Sequence, residues 1–158
     1  NVPVVANGNS EQASAKCVQT CARRLRELTQ SGQVVLDAGW LILKEYKDNL
    51  RPGGQPGVGD AFLKWVLTNY SNPKRCALVA ITPVDDAAFA EFPRVASLSG
   101  FHSHDRKFVA VALAHPEHPP ILQAVDRLWW QMKTELKGAG LTVDFLCPDD
   151  MRAFSQRR

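Results

Sequence analysis

Short apolar runs alternate with longer amphipathic stretches along most of this chain, and this alternation restricts the fold more than any other feature. Apolar periodicity of the helical kind recurs between the runs and ends near Gln30, Leu50, Tyr70, His115 and Lys137. The runs themselves, which we interpret as strands, are residues 2–6, 33–36, 76–81, 121–125 and 141–147. Strands that alternate with helices predict an α/β fold, a three-layer sandwich in which helices flank a central, mostly parallel sheet.

The length of the chain, 158 residues, predicts one domain, over residues 1–147, followed by a polar, basic and frayed tail over 148–158. The composition is 45% hydrophobic and 22% charged, which is ordinary for a globular protein and excludes wholesale disorder. A net charge of +3 is too small to indicate nucleic-acid binding by itself. Because no apolar run is as long as a membrane span and no signal peptide opens the chain, we expect a cytoplasmic protein without membrane contact.

The four cysteines are Cys17, Cys21, Cys76 and Cys147, too few for a disulfide-dense secreted scaffold. Cys17 and Cys21 share one face of a predicted helix, and we expect them to pack as small hydrophobic side chains. Metal binding by this Cys-x-x-x-Cys pair is the alternative, although no further cysteine or histidine stands at a familiar ligand spacing. The cysteine content favours a reducing compartment.

Polar side chains end several of the predicted strands, where ligands gather in open α/β sheets. Asn7 follows the first run, Asp37 the second and Asp126 the run over 121–125. Asp126 also precedes a helix, so a role as its N-cap is an equally good interpretation. These positions are candidates for a site at one edge of the sheet.

Two further acids belong with this edge. Asp105 begins a helix and lies on its apolar face with Phe108, Val109 and Ala112, where a carboxylate is costly unless something pairs with it. An arginine salt bridge would satisfy Asp105 without any function. Glu45 lies beside a buried helical stripe. Together with Asp126 these carboxylates suit Mg²⁺ or Mn²⁺ and the metal-assisted hydrolysis of phosphodiesters.

Three other chemistries find less support. The histidines at 102, 104, 115 and 118 suggest a zinc site, but no pair has the spacing of two ligands on one helix. The glycine-rich segment 51–59 lacks the Gly-Lys-Ser/Thr ending of a phosphate-binding loop. A Gly-x-Ser-x-Gly nucleophile elbow is absent from the sequence.

Four stretches resemble the PIN-domain family of metal-dependent ribonucleases, which includes many bacterial toxins. VVANGN at 4–9 is similar to the family's first strand and its Asp-x-Asn motif. The stretch 34–50 resembles the strand and helix that carry a metal-binding Glu, and 104–115 resembles the Asp-led helix. ILQAVDRLWW at 121–130 resembles the strand that ends in a Thr-x-Asp-x-Asp motif. In the same order as in the family, these stretches cover most of the chain.

The resemblance implies a site at Glu45, Asp105 and Asp126, with Asn7 at the position of the family's first acid. An amide oxygen can bind a hard cation but brings no charge and cannot act as a base. Leu128 stands where a further Asp is frequent, and His102 where an acid or a small polar residue is expected. These departures imply weaker metal binding, with one Mg²⁺ or Mn²⁺ ion rather than two.

Two functions follow from the resemblance. The first is an endoribonuclease, with a role in toxicity or defence, that hydrolyses RNA at these acids and contacts it through Arg106, Lys107 and Arg127. The second is a PIN-fold protein that binds nucleic acid or regulates a partner without catalysis, which Asn7 and Leu128 favour. The family also implies a homodimer, with Trp129 or Trp130 at its interface unless they pack in the core, and a cognate antitoxin or other partner protein.

Overall fold

The fold is described from a computed structural model that covers residues 1–85 and 88–156. Short 3₁₀ helices occupy Ala96–Leu98 and Ser103–Asp105. The α-helices of the described residues are α1 (Val2–Ala6), α2 (Ala15–Ser31), α3 (Leu41–Asn49), α4 (Val58–Asn69), α5 (Arg106–Ala114), α6 (Arg127–Gln131), α7 (Lys133–Gly138) and α8 (Pro148–Gln156). The strands are β1 (Val34–Asp37), β2 (Cys76–Val79), β3 (Pro83–Asp85), β4 (Ala88–Phe89), β5 (Ile121–Gln123) and β6 (Val143–Phe145).

The predicted α/β class is confirmed, and the long connections between parallel strands contain helices as expected. β1 pairs with β2 in parallel, with Val34 opposite Cys76, and β5 pairs with β6 in parallel, with Ile121 opposite Val143. β3 and β4 form a small antiparallel hairpin. Among the described residues, hydrogen bonding therefore divides the strands into three pairs rather than one continuous sheet.

The prediction of a first strand over 2–6 was wrong, because this segment is the short helix α1. A five-residue apolar run cannot be told from a buried helical turn by its pattern alone, and Pro3 is well placed in a first turn, where its missing N–H is not needed. α1 rests directly on α4. A Cβ added at Gly59 would lie 1.9 Å from the carbonyl oxygen of Pro3, so only glycine permits this approach.

The prediction of a frayed tail after residue 147 was also wrong, since most of it forms α8. Asp149 and Asp150 lie in the first turn of this helix, where negative charge is favoured, and Met151 is buried in the core. A disulfide between Cys17 and Cys147 joins the start of α8 to α2. Ser14 caps the start of α2, where its hydroxyl accepts a hydrogen bond from the N–H of Cys17.

The core has two parts that meet around α5. One lies between α1, α2, α3 and α4 and includes Leu36, Leu43 and Leu63. The other surrounds Trp129 and Phe101, whose rings meet edge to face at 4.9 Å. Trp129 is fully buried, so the core interpretation is correct for it and a place at a dimer interface is excluded. None of the helices in the described residues is long and apolar enough to cross a bilayer.

Candidate functional site

Glu45 lies on α3, and Asp37 at the end of β1 fixes where that helix begins. The Asp37 carboxylate accepts hydrogen bonds from the backbone N–H groups of Leu41 and Ile42, both at 2.8 Å. Trp40 precedes the helix in a left-handed conformation, with φ of 68°. Asp37 is 1% exposed, so this strand-end acid is a buried anchor for α3 and does not face a ligand.

We expect Asp37→Ala to lower the free energy of unfolding by about 2 kcal/mol, because it leaves the buried N–H of Ile42 and the partly buried N–H of Leu41 without an acceptor. Urea denaturation of the parent and the variant measures this difference. Asp37→Asn keeps one acceptor oxygen and should lose less stability. A loss below about 0.5 kcal/mol for the alanine variant, within the range of surface substitutions, would show that α3 does not depend on this anchor.

Asp105 ends the 3₁₀ helix directly before α5, and its side chain is 25% exposed. The arginine salt bridge considered from the sequence does not form within the described residues. The nearest basic side chain is the imidazole of His102, whose Nδ1 is 4.0 Å from Oδ2 of Asp105, at the limit for an ion pair. Asp105 therefore enters the site with little direct compensation of its charge.

Asp126 is the N-cap of α6, as the alternative interpretation of this residue predicted. Its Oδ1 accepts a hydrogen bond from the backbone N–H of Trp129 at 3.1 Å. The cap fixes one carboxylate oxygen and sets the orientation of the other. A capping role and a ligand role are compatible here, because a carboxylate has lone pairs for both.

The structure brings Glu45, Asp105 and Asp126 into one electrostatic environment. Burial raises the pKa of Asp105, and the negative charges of Asp126 and Glu45 raise it further. The indole of Trp129 and the ammonium group of Lys107 act in the opposite direction. The negative charges of acids on α3 and at the β5–α6 junction thus act on the carboxyl group at the start of α5.

The spacing of these acids is looser than that of a formed ion site. In residues 1–85 and 88–156, one group of three possible ligand side chains has its ligand atoms within 4.8 Å of one another. It consists of Cys17, Cys21 and Cys147. The acids and the histidines of the described residues form no such group. Glu45 is instead paired with Lys107. The carboxylate oxygens of the three acids suit a hard cation by their chemistry. For Glu45 to bind such an ion, its ion pair with Lys107 must first break.

Asn7 lies elsewhere, and this corrects its predicted place in the site. Its Oδ1 accepts hydrogen bonds from the N–H groups of Gly59 and Asp60, at 2.8 and 3.3 Å, and its Nδ2 donates to the Asp60 carboxylate at 2.9 Å. Asn7 therefore caps α4. The apolar run that precedes it is a helix, so the chain does not carry Asn7 to a strand end.

Asn1 is the residue of the N-terminal segment that reaches the acids. Its side-chain amide accepts a hydrogen bond from the N–H of Ala124 and donates one to the carbonyl of Val125, both at 3.0 Å. Sequence reasoning missed Asn1 because the role was assigned to the polar residue after the apolar run rather than before it.

The three cations predicted to contact RNA are placed differently from one another. Arg106 is held by the carbonyls of Phe101 and Ser99 and lies over the ring of Phe92. Lys107 is 13% exposed and is bound to Glu45, so the expectation that it is an exposed cation was wrong. Arg127 is exposed, directly beside Asp126.

No protein-family model, curated protein or solved structure matches this chain. The resemblance to PIN domains is therefore based on the residues alone, and the function is argued from the arrangement of the acids.

Proposed function

We propose that this protein is a Mg²⁺- or Mn²⁺-dependent endoribonuclease of PIN type, and that its strand pairs belong to the three-layer sandwich of that family. The observation that carries the proposal is that Lys107, two residues after Asp105, pairs with Glu45, while the charges of Asp126 and Glu45 raise the pKa of Asp105. Carboxylates that repel one another destabilise the free protein, and a divalent cation relieves that repulsion. The helices that hold the acids are fixed by buried caps and by the aromatic core.

Each residue has a distinct role in this proposal. Asp105 and Asp126 hold the ion, Glu45 joins them after release from Lys107, and Lys107 then faces the phosphate of the substrate. Arg127 binds a neighbouring phosphate of the RNA. When bound, the ion supplies an activated water and stabilises charge on the phosphate. Asn1 takes the place that the sequence assigned to Asn7, and its hydrogen bonds to Ala124 and Val125 keep the end of β5 beside the acids.

The second candidate is a protein that binds RNA without cleaving it, and one specific observation favours it. The ion pair between Lys107 and Glu45 neutralises one of the three acids, as a protein without a metal would require. Such a protein retains RNA in the presence of a chelator and loses it as the salt concentration rises. In either case RNA is the expected partner, while a homodimer and a cognate antitoxin remain expectations from the resemblance.

A thermal titration with Mn²⁺ tests whether the acids hold an ion. At a concentration of 100 Kd, a ligand that binds only the folded state adds about 2.7 kcal/mol, which raises the Tm of a chain this long by roughly 5–10 °C. We expect this rise in the parent and not in Asp105→Asn/Asp126→Asn. Asp48→Asn, which changes an exposed acid that is paired with Lys44 on α3, should keep the full rise.

A second prediction concerns the melting temperature of Asp105→Asn in EDTA, without any metal ion. Because the folded-state pKa of Asp105 is raised, its contribution to stability is greatest below the unfolded pKa and is lost as the pH rises through the folded pKa. At neutral pH a neutral amide avoids this loss, so metal-free Asp105→Asn should melt no lower than the parent.

The Mn²⁺ titration also has an outcome that contradicts the proposal. If Asp105→Asn/Asp126→Asn gains as much stability from Mn²⁺ as the parent does, the ion binds elsewhere and the nuclease proposal fails.

A further inference from the structure

Three of the four cysteines meet at one place in the core, at the starts of α2 and α8. Cys17 and Cys21 lie one turn apart on α2, and Cys147 directly precedes α8. Cys17 and Cys147 form the disulfide, and the Sγ of Cys21 is 3.9 Å from the Sγ of Cys147. All three side chains are buried, and their sulfur atoms lie within 4.8 Å of one another. We call this group the three-cysteine cluster.

Contacts other than the disulfide hold the two helix starts together. The Asp150 carboxylate accepts hydrogen bonds from the N–H and the hydroxyl of Ser14, at 2.7 and 2.9 Å. The Ser14 hydroxyl in turn accepts one from the N–H of Cys17 at 3.2 Å, and Lys16 pairs with Asp149 at 3.3 Å. These contacts do not involve sulfur, so they are available in the reduced protein as well as in the oxidised one.

The distance between the Sγ atoms of Cys21 and Cys147 matches the sulfur–sulfur distance in a metal–thiolate centre. A metal–sulfur bond of about 2.3 Å places the sulfurs of a three-coordinate ion about 4.0 Å apart, close to the 3.9 Å between Cys21 and Cys147. The disulfide itself needs only two cysteines, so it does not account for Cys21.

We propose that the reduced protein binds one soft, thiophilic metal ion of the Cu(I) type through Cys17, Cys21 and Cys147. Two electrons from a thiol or phosphine reductant, with two protons from the thiol or from water, convert the disulfide into two thiols. Binding of the ion releases the thiol protons to solvent and forms three metal–sulfur bonds. Thiolate ligands select Cu(I) or zinc, and three sulfurs suit Cu(I) better, since zinc requires a fourth ligand and the nearby Asp150 carboxylate is engaged by Ser14.

The experiment is an anaerobic titration of the full chain with Cu(I) in competition with a chromogenic Cu(I) chelator. After reduction with a phosphine, the parent should take one ion from the chelator per chain. The oxidised parent, which keeps its fold, should take none. Cys21→Ala retains the disulfide pair, and its affinity for Cu(I) should fall by more than the roughly 10–100-fold that loss of an outer-shell partner causes. Cys76→Ala, a buried free cysteine outside the cluster, is the matched control and should bind as the parent does.

Three results would overturn the proposal. The first is that Cys21→Ala binds Cu(I) as tightly as the parent does. The second is that the oxidised parent binds Cu(I) as well as the reduced parent, and the third is that the reduced parent binds Zn²⁺ but no Cu(I). Circular dichroism of each variant tests whether the variant is folded, so that loss of Cu(I) binding can be told from unfolding. The comparison of the oxidised and reduced parent needs no substitution, so the proposal can be refuted even where a variant misfolds.

Discussion

Asp105→Asn should reduce Mn²⁺-dependent cleavage of RNA by on the order of 10³-fold while the protein stays folded. The substitution keeps the shape of the side chain and removes the charge that the other two acids repel. A neutral amide leaves the cation with one carboxylate fewer at the centre of the site, because Asp105 interacts with both Asp126 and Glu45. Asp126→Asn should have a similar effect on cleavage, although its amide oxygen can still cap α6.

Cleavage is measured with an end-labelled RNA that contains both a hairpin and single-stranded segments, in Mn²⁺ and in EDTA. Asp48→Asn, an exposed acid on the same helix as Glu45, should cleave at the rate of the parent. If cleavage survives in both Asp105→Asn and Asp126→Asn, the site does not carry the activity. If the parent cleaves no RNA but retains it in EDTA in a salt-dependent way, the protein is a binding module.

Reduction of the Cys17–Cys147 disulfide should lower the free energy of unfolding by about 4 kcal/mol in metal-free buffer. The two cysteines are 130 residues apart in sequence, so the bridge closes most of the chain into one loop and removes a large share of the entropy of the unfolded state. The measured effect of natural disulfides usually lies at about 2–4 kcal/mol, and this loop length places the expectation at the upper end. The Tm of the chain should fall by roughly 10 °C.

Urea denaturation with and without a phosphine reductant measures this loss. Cys17→Ala removes the bridge and should be insensitive to the reductant. Cys21→Ala, which leaves the bridge intact, should lose stability on reduction just as the parent does. If the midpoint of the parent does not change on reduction, the contacts of Ser14 and Lys16 with α8 hold the helix starts without help from the bridge.

Sequence reasoning succeeded where a local pattern decides the structure. β1 and α3 follow from an apolar run and a helical stripe, and the pair is joined by Asp37, which ends one and anchors the other. The cap of α6 by Asp126 also follows from a local pattern, an acid between an apolar run and a helix, whereas a site shared by Glu45, Asp105 and Asp126 stays a prediction.

It failed where a distant partner decides. Residues 148–156 look like a solvent-exposed tail, but Met151 and the bridge to Cys17 hold them against α2, more than a hundred residues away in sequence. α1 was mistaken for a strand because α4, which α1 packs against, lies about fifty residues further along the chain. The place of Asn7 at a strand end was wrong for the same reason. The ion pair of Lys107 with Glu45 joins α5 to α3, and no spacing within either helix reveals it.

Trp129 connects the aromatic part of the core to two of the acids. Its backbone N–H holds the Asp126 carboxylate, and its ring packs edge to face on Phe101, four residues before Asp105. One buried side chain therefore links the packing of the aromatic core to the cap of α6. Shortening the side chain at Phe101 should loosen the hydrogen bond that orients Asp126 as well as the core itself.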